Sequence, residues 1–87
     1  MKLLFCPHCV DVFNIVLEVE KSCRCGQVKG KYIDKQNATY SGNPILLGFK
    51  NSKFIEASRM NFQKDESVDF TAFTISKTSP TFIKKEE

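Results

Sequence analysis

A chain of 87 residues, 41% hydrophobic and 26% charged, has the composition of one soluble globular domain. It is too short to bury a large core unaided, so a metal, disulfides or a partner is expected to supplement that core. A formal charge of +3 lacks the strong basic excess of a typical nucleic-acid binder, and no apolar run approaches the roughly 18 residues of a membrane-spanning helix.

The opening "MKLLFC" has one lysine and a short apolar stretch, well below the about 7–15 residues of a secretory h-region. The expected setting is therefore a reducing cytoplasm, where four cysteines serve as metal ligands more readily than as disulfides. "CPHC" at 6–9 reads as a turn. In "VFNIVLEVEK" (12–21), Phe13, Ile15, Leu17 and Val19 alternate with other residues, the period of a strand with one buried face. "SCRCGQ" (22–27) is a second turn, and "VKGKYI" (28–33) a second strand. Both cysteine pairs then lie at one end of a strand-turn-strand unit.

"DKQNATYSGNP" (34–44) clusters turn residues and reads as loop. "ILLGF" (45–49) is a buried strand or the lead-in to a helix. "NSKFIEASRMNF" (51–62) carries apolar residues at helical spacing, and Asn51 or Ser52 is placed to cap it. "SVDFTAFTISK" (67–77) reads as a strand whose alternation slips between Phe70 and Phe73, as a bulge would cause. "SPTFIKKEE" (79–87) adds an edge strand and then a tail at 84–87.

The cysteines follow the pattern Cys6-x2-Cys9, thirteen residues, Cys23-x-Cys25-Gly26. Two tight turns can each present two sulfurs, and a tetrahedral zinc ion needs four such soft ligands at about 2.3 Å. This arrangement resembles a zinc ribbon over residues 1–33. The resemblance implies that Cys6, Cys9, Cys23 and Cys25 are the ligands of one structural Zn2+, whose binding energy would supply much of the folding free energy. Two departures stand out: Val10 follows Cys9 where ribbons usually have glycine, and the second pair has one intervening residue rather than two. Taken whole, "CPHC…CRCG…GKYID…YSG…LGF" resembles uncharacterised small zinc-ribbon proteins of bacteria and their phages, a resemblance that carries no activity.

Two other chemistries compete for the same cysteines. A redox C-x-x-C needs a helix N-terminus to activate its first thiol and a strand ahead of it in a βαβ fold. Here five residues precede Cys6, the residues after Cys9 alternate as a strand, and the second cysteine pair would be unexplained. Spacing alone leaves a rubredoxin-like iron site open. His8 is expected to be a solvated turn residue; Asp11 and Asp34 are placed to orient the knuckle or, on the plainer and preferred reading, to serve as turn residues. Four cysteines close a metal site, whereas catalytic zinc keeps an open position; with no nucleophile or phosphate-binding motif in the chain, no enzyme is expected.

The fold expected is α+β: a zinc ribbon (1–33) extended by further antiparallel strands and covered by one helix (34–83), in one domain spanning 1–87. The favoured function is a protein-protein interaction module, either an adaptor or an inhibitor of a host protein of the phage or mobile-element type. Eight phenylalanines are more than so small a core hides, which favours an exposed partner surface. A nucleic-acid-binding ribbon is the alternative, using Arg24, Lys29 and Tyr32 beside Lys21 and Lys31. A third reading places a small ligand on 40–54, with Tyr40, Asn43 and Asn51 as directed polar contacts. Oligomeric state and partner identity are not legible.

Overall fold

The computed structural model describes residues 1–85, so Glu86 and Glu87 of the expected tail lie outside the described residues. The described residues form an α+β fold of eight strands and one helix. The strands are β1 (Lys2–Cys6), β2 (Asp11–Asn14), β3 (Lys21–Ser22), β4 (Lys29–Tyr32), β5 (Ala38–Ser41), β6 (Ile45–Phe49), β7 (Ala72–Ile75) and β8 (Phe82–Lys84); the helix α1 is Asn51–Lys64. One sheet has the order β2-β1-β6-β7 and the other β3-β4-β5-β8.

The apolar opening is itself a strand. Leu4 and Cys6 point into the core with period two, and β1 pairs antiparallel with both β2 and β6. The long strand expected over 12–21 is divided. β2 belongs to the first sheet and β3 to the second, and Ile15–Glu20 crosses between them. The crossing is held by Tyr32 N–H to Val16 O and Glu18 N–H to Tyr32 O, both 2.9 Å, with Glu18 at φ 62. Alternation therefore placed Ile15 correctly in the core, while Leu17 and Val19 face solvent.

The loop expected over 34–44 contains β5, flanked by β4 and β8. Its strand is only four residues long, between the Asp34 turn and Gly42, so turn residues dominate the stretch. The Asp34 carboxylate accepts the backbone N–H groups of Gln36 and Asn37 at 2.8 and 2.7 Å, and these bonds with the Asn37 side chain hold its pKa below the usual carboxylate value. The other pairings are antiparallel as expected, but β8 joins β5 in parallel. Over 67–77 no bulge is needed: the strand starts at Ala72, and the break in alternation marks its boundary.

The two sheets share one core, made of Leu4, Cys6, Ile15, Cys23, Val28, Ala38, Tyr40, Leu46 and Phe82. The helix does not cover a sheet as expected; Ala57 is its only buried residue. Neither Asn51 nor Ser52 caps it. The cap position falls on Lys50 without a side-chain bond, and Asn51 Oδ1 accepts instead from the Met1 amine at 2.7 Å. Its C-terminus closes on Asp65 at φ 53, whose N–H reaches Asn61 O. Phe49, Phe54 and Phe70 pack edge-on or tilted, with ring centroids 5.2–5.5 Å apart, and join the helix start to the first sheet.

At Gly30 the second sheet lies hard against Leu4 of the first. A Cβ there would lie 2.5 Å from Leu4 Cδ1 and 3.3 Å from Ile15 Cγ2, both core atoms without room to retreat. Gly30→Ala should overpack this contact and lower stability by about 2 kcal/mol, read from urea unfolding with metal held saturating. An unchanged midpoint would show that the sheets can separate at no cost.

Candidate metal centre

Each cysteine pair sits in the turn of a different hairpin. Cys6 ends β1, the turn runs through Pro7, His8, Cys9 and Val10, and pairing of Cys6 with Asp11 closes the hairpin. Cys23 and Cys25 lie between β3 and β4, where Cys23 N–H bonds Val28 O at 2.9 Å and Gly26 N–H bonds Cys23 O at 3.1 Å. Gly26 adopts φ 79, a conformation that costs glycine little. The first hairpin belongs to one sheet and the second to the other, so the four sulfurs gather where the sheets meet.

All four Sγ atoms lie within 4.8 Å of one another. Cys6 and Cys25 are 3.7 Å apart and Cys23 and Cys25 3.4 Å. Sulfurs bound tetrahedrally at about 2.3 Å stand about 3.8 Å apart, so the cluster has the size of a four-thiolate site. The separations are far from the about 2.05 Å of a disulfide, and all four cysteines are free. Cys6 and Cys23 are buried in the core, Cys9 is half-buried and Cys25 is exposed.

The thiols do not ionise independently. Burial pushes the Cys23 thiol up, but Val28 N–H donates to its sulfur at 3.4 Å and the Cys25, Cys6 and Cys9 thiols add further bonds, holding it down at about 6. At Cys25 the Gln27 backbone N–H favours the thiolate, but burial and then the neighbouring Cys23, Cys9 and Cys6 push it up to about 12. Cys23 is thus favoured as a thiolate and Cys25 disfavoured beside it, and a cation between the two sulfurs would lift that opposition.

The sequence offers Asp11 as a turn residue or as a group that orients the knuckle, and the structure supports the second. In the structure its carboxylate joins the two hairpins, accepting Arg24 N–H at 3.1 Å with Arg24 Nε at 4.0 Å. Thirteen residues separate the pair, so no local pattern signals it. His8 is exposed and lies outside the cluster. The other residues singled out from sequence do not converge. Arg24 and Lys29 are exposed near the second turn. Tyr32 accepts Lys2 N–H at 2.8 Å, with the Lys2 ammonium 5.5 Å from its ring centroid. Tyr40 is 2% exposed and packs edge-on against Phe82 in the core. Asn43 and Asn51 flank opposite ends of β6; Asn43 accepts from Lys77 and Asn51 from the Met1 amine.

No protein-family model, no curated protein and no solved structure matches the chain. What the fold and cluster define is therefore an α+β protein with four cysteines arranged to hold a metal ion, its class resting on geometry alone.

Two substitutions test how the turns are built. Val10 sits at φ 56, the left-handed region that a β-branched residue enters at a cost of about 1–2 kcal/mol, and its side chain is 68% exposed. Val10→Gly should remove the strain while losing little packing, raising the melting temperature by roughly 5 °C at fixed metal; a fall would place Val10 in a stabilising contact. Asp11→Ala should leave the Arg24 N–H without its carboxylate and cost about 1 kcal/mol, with metal affinity reduced in a chelator competition. Unchanged affinity would reduce Asp11 to a turn residue.

Proposed function

We propose that Cys6, Cys9, Cys23 and Cys25 hold one zinc ion in a closed structural site, and that residues 1–33 form a zinc ribbon serving a non-catalytic, cytoplasmic protein-binding module. Four sulfurs within 4.8 Å, two of them in the core, support the metal. Zinc fits an all-cysteine tetrahedral set, and four protein ligands leave no open position for chemistry. No helix among the described residues is long and apolar enough to cross a membrane.

The observation that carries the binding role is the helix. Phe54, Ile55, Met60 and Phe62 are all substantially exposed on α1, with Phe62 at 89%. Ile55, Ser58, Arg59, Phe62 and Gln63 line a shallow open groove along it. A helix that keeps Phe54 against Phe49 and Phe70 but leaves Ile55 and Phe62 outside any core has the form of a partner surface. An adaptor and an inhibitor of a host protein would both use this same surface complementarity. The basic residues favour nucleic acid less, since Arg24 bonds Asp11 and Lys85 faces Glu20 at 3.8 Å.

Native mass spectrometry of protein purified from cells should show one zinc per chain, and Cys→Ser at position 6, 9, 23 or 25 should lose it together with the fold. Iron, or no metal, would overturn the zinc assignment. Complexes that co-purify should persist at high salt and disappear with Phe62→Glu. Nucleic acid would instead dissociate steeply with salt and be lost with Arg24→Glu and Lys29→Glu.

A further inference from the structure

β1 carries Cys6 at one end and Lys2 at the other, about 13 Å away along the strand. At the Lys2 end a cleft of about 410 Å³ opens between residues of the two sheets. That volume falls within the roughly 300–1,000 Å³ of small-molecule sites. Lys2, Phe73 and Ile75 stand on the side of the first sheet, and Tyr32, Lys35 and Thr81 on the side of the second.

The cleft is electrically one-sided. Lys2, Lys35 and the Met1 amine line it, and no carboxylate does. Among the described residues no carboxylate pairs with Lys2 or Lys35. The neighbouring Asp34 already accepts from the Gln36 and Asn37 N–H groups and the Asn37 side-chain amide. The Lys2 ammonium donates instead to Gln36 O and lies 5.5 Å from the Tyr32 ring centroid. Burial holds its pKa below the usual lysine value, against the opposing pull of Asp34, and burial and then Lys2 lower the Met1 amine. Cations taken partly out of water without a carboxylate beside them are costly, and an anion in the cleft would offset that cost.

An apolar wall lies beside these cations. Gly48 has no side chain, so Phe73 and Ile75 rest on its backbone, 3.2 and 3.1 Å from where a Cβ would stand. The Phe73 ring lines the cleft and is left 46% exposed. The Ser79 and Thr81 hydroxyls, 3.3 Å apart, are uncharged hydrogen-bonding groups at the same place. Ammonium groups, hydroxyls and a bare aromatic ring together suit a ligand with an anionic head and a planar body.

We infer that this cleft binds a small planar organic anion, its phosphate or carboxylate held by Lys2 and Lys35 and its ring laid against Phe73. The inference is independent of the metal and of the α1 surface. An extended nucleic-acid strand fits less well, because Arg24 and Lys29 lie by the second cysteine turn, at the other end of β4 from Tyr32.

Titration of the full, metal-loaded chain with adenosine monophosphate and with indole-3-acetate, followed by amide NMR, tests this. At least one should bind saturably and shift the amides of Tyr32, Gln36, Gly48 and Phe73. Binding of the first alone would identify a phosphate ligand, and of the second alone a carboxylate. Adenosine and inorganic phosphate each carry half of the recognition and should bind at least about tenfold more weakly. Lys35→Glu and Phe73→Ala alter exposed side chains, and each should weaken binding by about tenfold. Phe62→Glu on α1 should leave binding unchanged. The inference is overturned by no saturable binding of either anion at millimolar concentration, by shifts confined to residues outside the cleft, or by indifference to both cleft variants. Adenosine or phosphate bound as tightly as the monophosphate, or an oligonucleotide bound far more tightly, would overturn it equally.

Discussion

Four thiols within 4.8 Å of one another are tolerable as neutral groups and repulsive as thiolates, unless a cation joins them. Everything at the N-terminal end of the fold leads to that constraint. The first hairpin brings Cys6 and Cys9 from one sheet, and the second brings Cys23 and Cys25 from the other. An ion held by all four would therefore fasten one sheet to the other at the point where the chain has crossed between them. Asp11, reaching from the first hairpin to the Arg24 N–H of the second, keeps the turns in register around the cluster.

A core of nine residues among those described explains why such a fastening is useful. Cys6 and Cys23 are members of that core as well as of the cluster, so ion and core would be continuous rather than separate sources of stability. Gly30 makes the same point from the other side. The sheets come together so closely that one hydrogen on an α-carbon is all the space allows between β4 and the Leu4 side chain. The apolar surface available is small, and the fold uses it by bringing the sheets into direct contact.

The cysteine pattern was legible because knuckle chemistry is local: two residues or one between sulfurs, and Gly26 at the positive φ of the second turn. The helix and β4 were legible from period and composition, while the apolar run of β6 left strand and helix lead-in both open. What escaped was long-range. Ile15–Glu20 keeps an alternation broken only at Val16 while passing from one sheet to the other, since period two records side-chain faces and not strand partners. β5 was hidden by its brevity among turn residues, and β1 by its position ahead of the motif. Val10 shows the reverse case: its departure from the usual glycine was visible, and the structure answers it with a strained backbone rather than a different turn. Tyr40 looked like a directed polar contact in a turn-rich segment, but β5 places it against Phe82 in the core.

The residues after the ribbon-like segment are not an appendage to it. β5 and β8 complete the sheet that holds the second cysteine turn, while β6 and β7 complete the sheet that holds the first. Each half of the cluster is thus backed by strands from late in the chain, and neither hairpin is left as an isolated two-stranded unit of marginal stability. Building both sheets this way uses the buried residues near the cysteines and leaves few for the far end. There α1 keeps only Ala57 from solvent, and β7 ends its sheet with an apolar, uncharged edge. One physical choice, concentrating the small core beside the cysteine cluster, accounts for both the close-packed cysteine end and the apolar surfaces left exposed at the other.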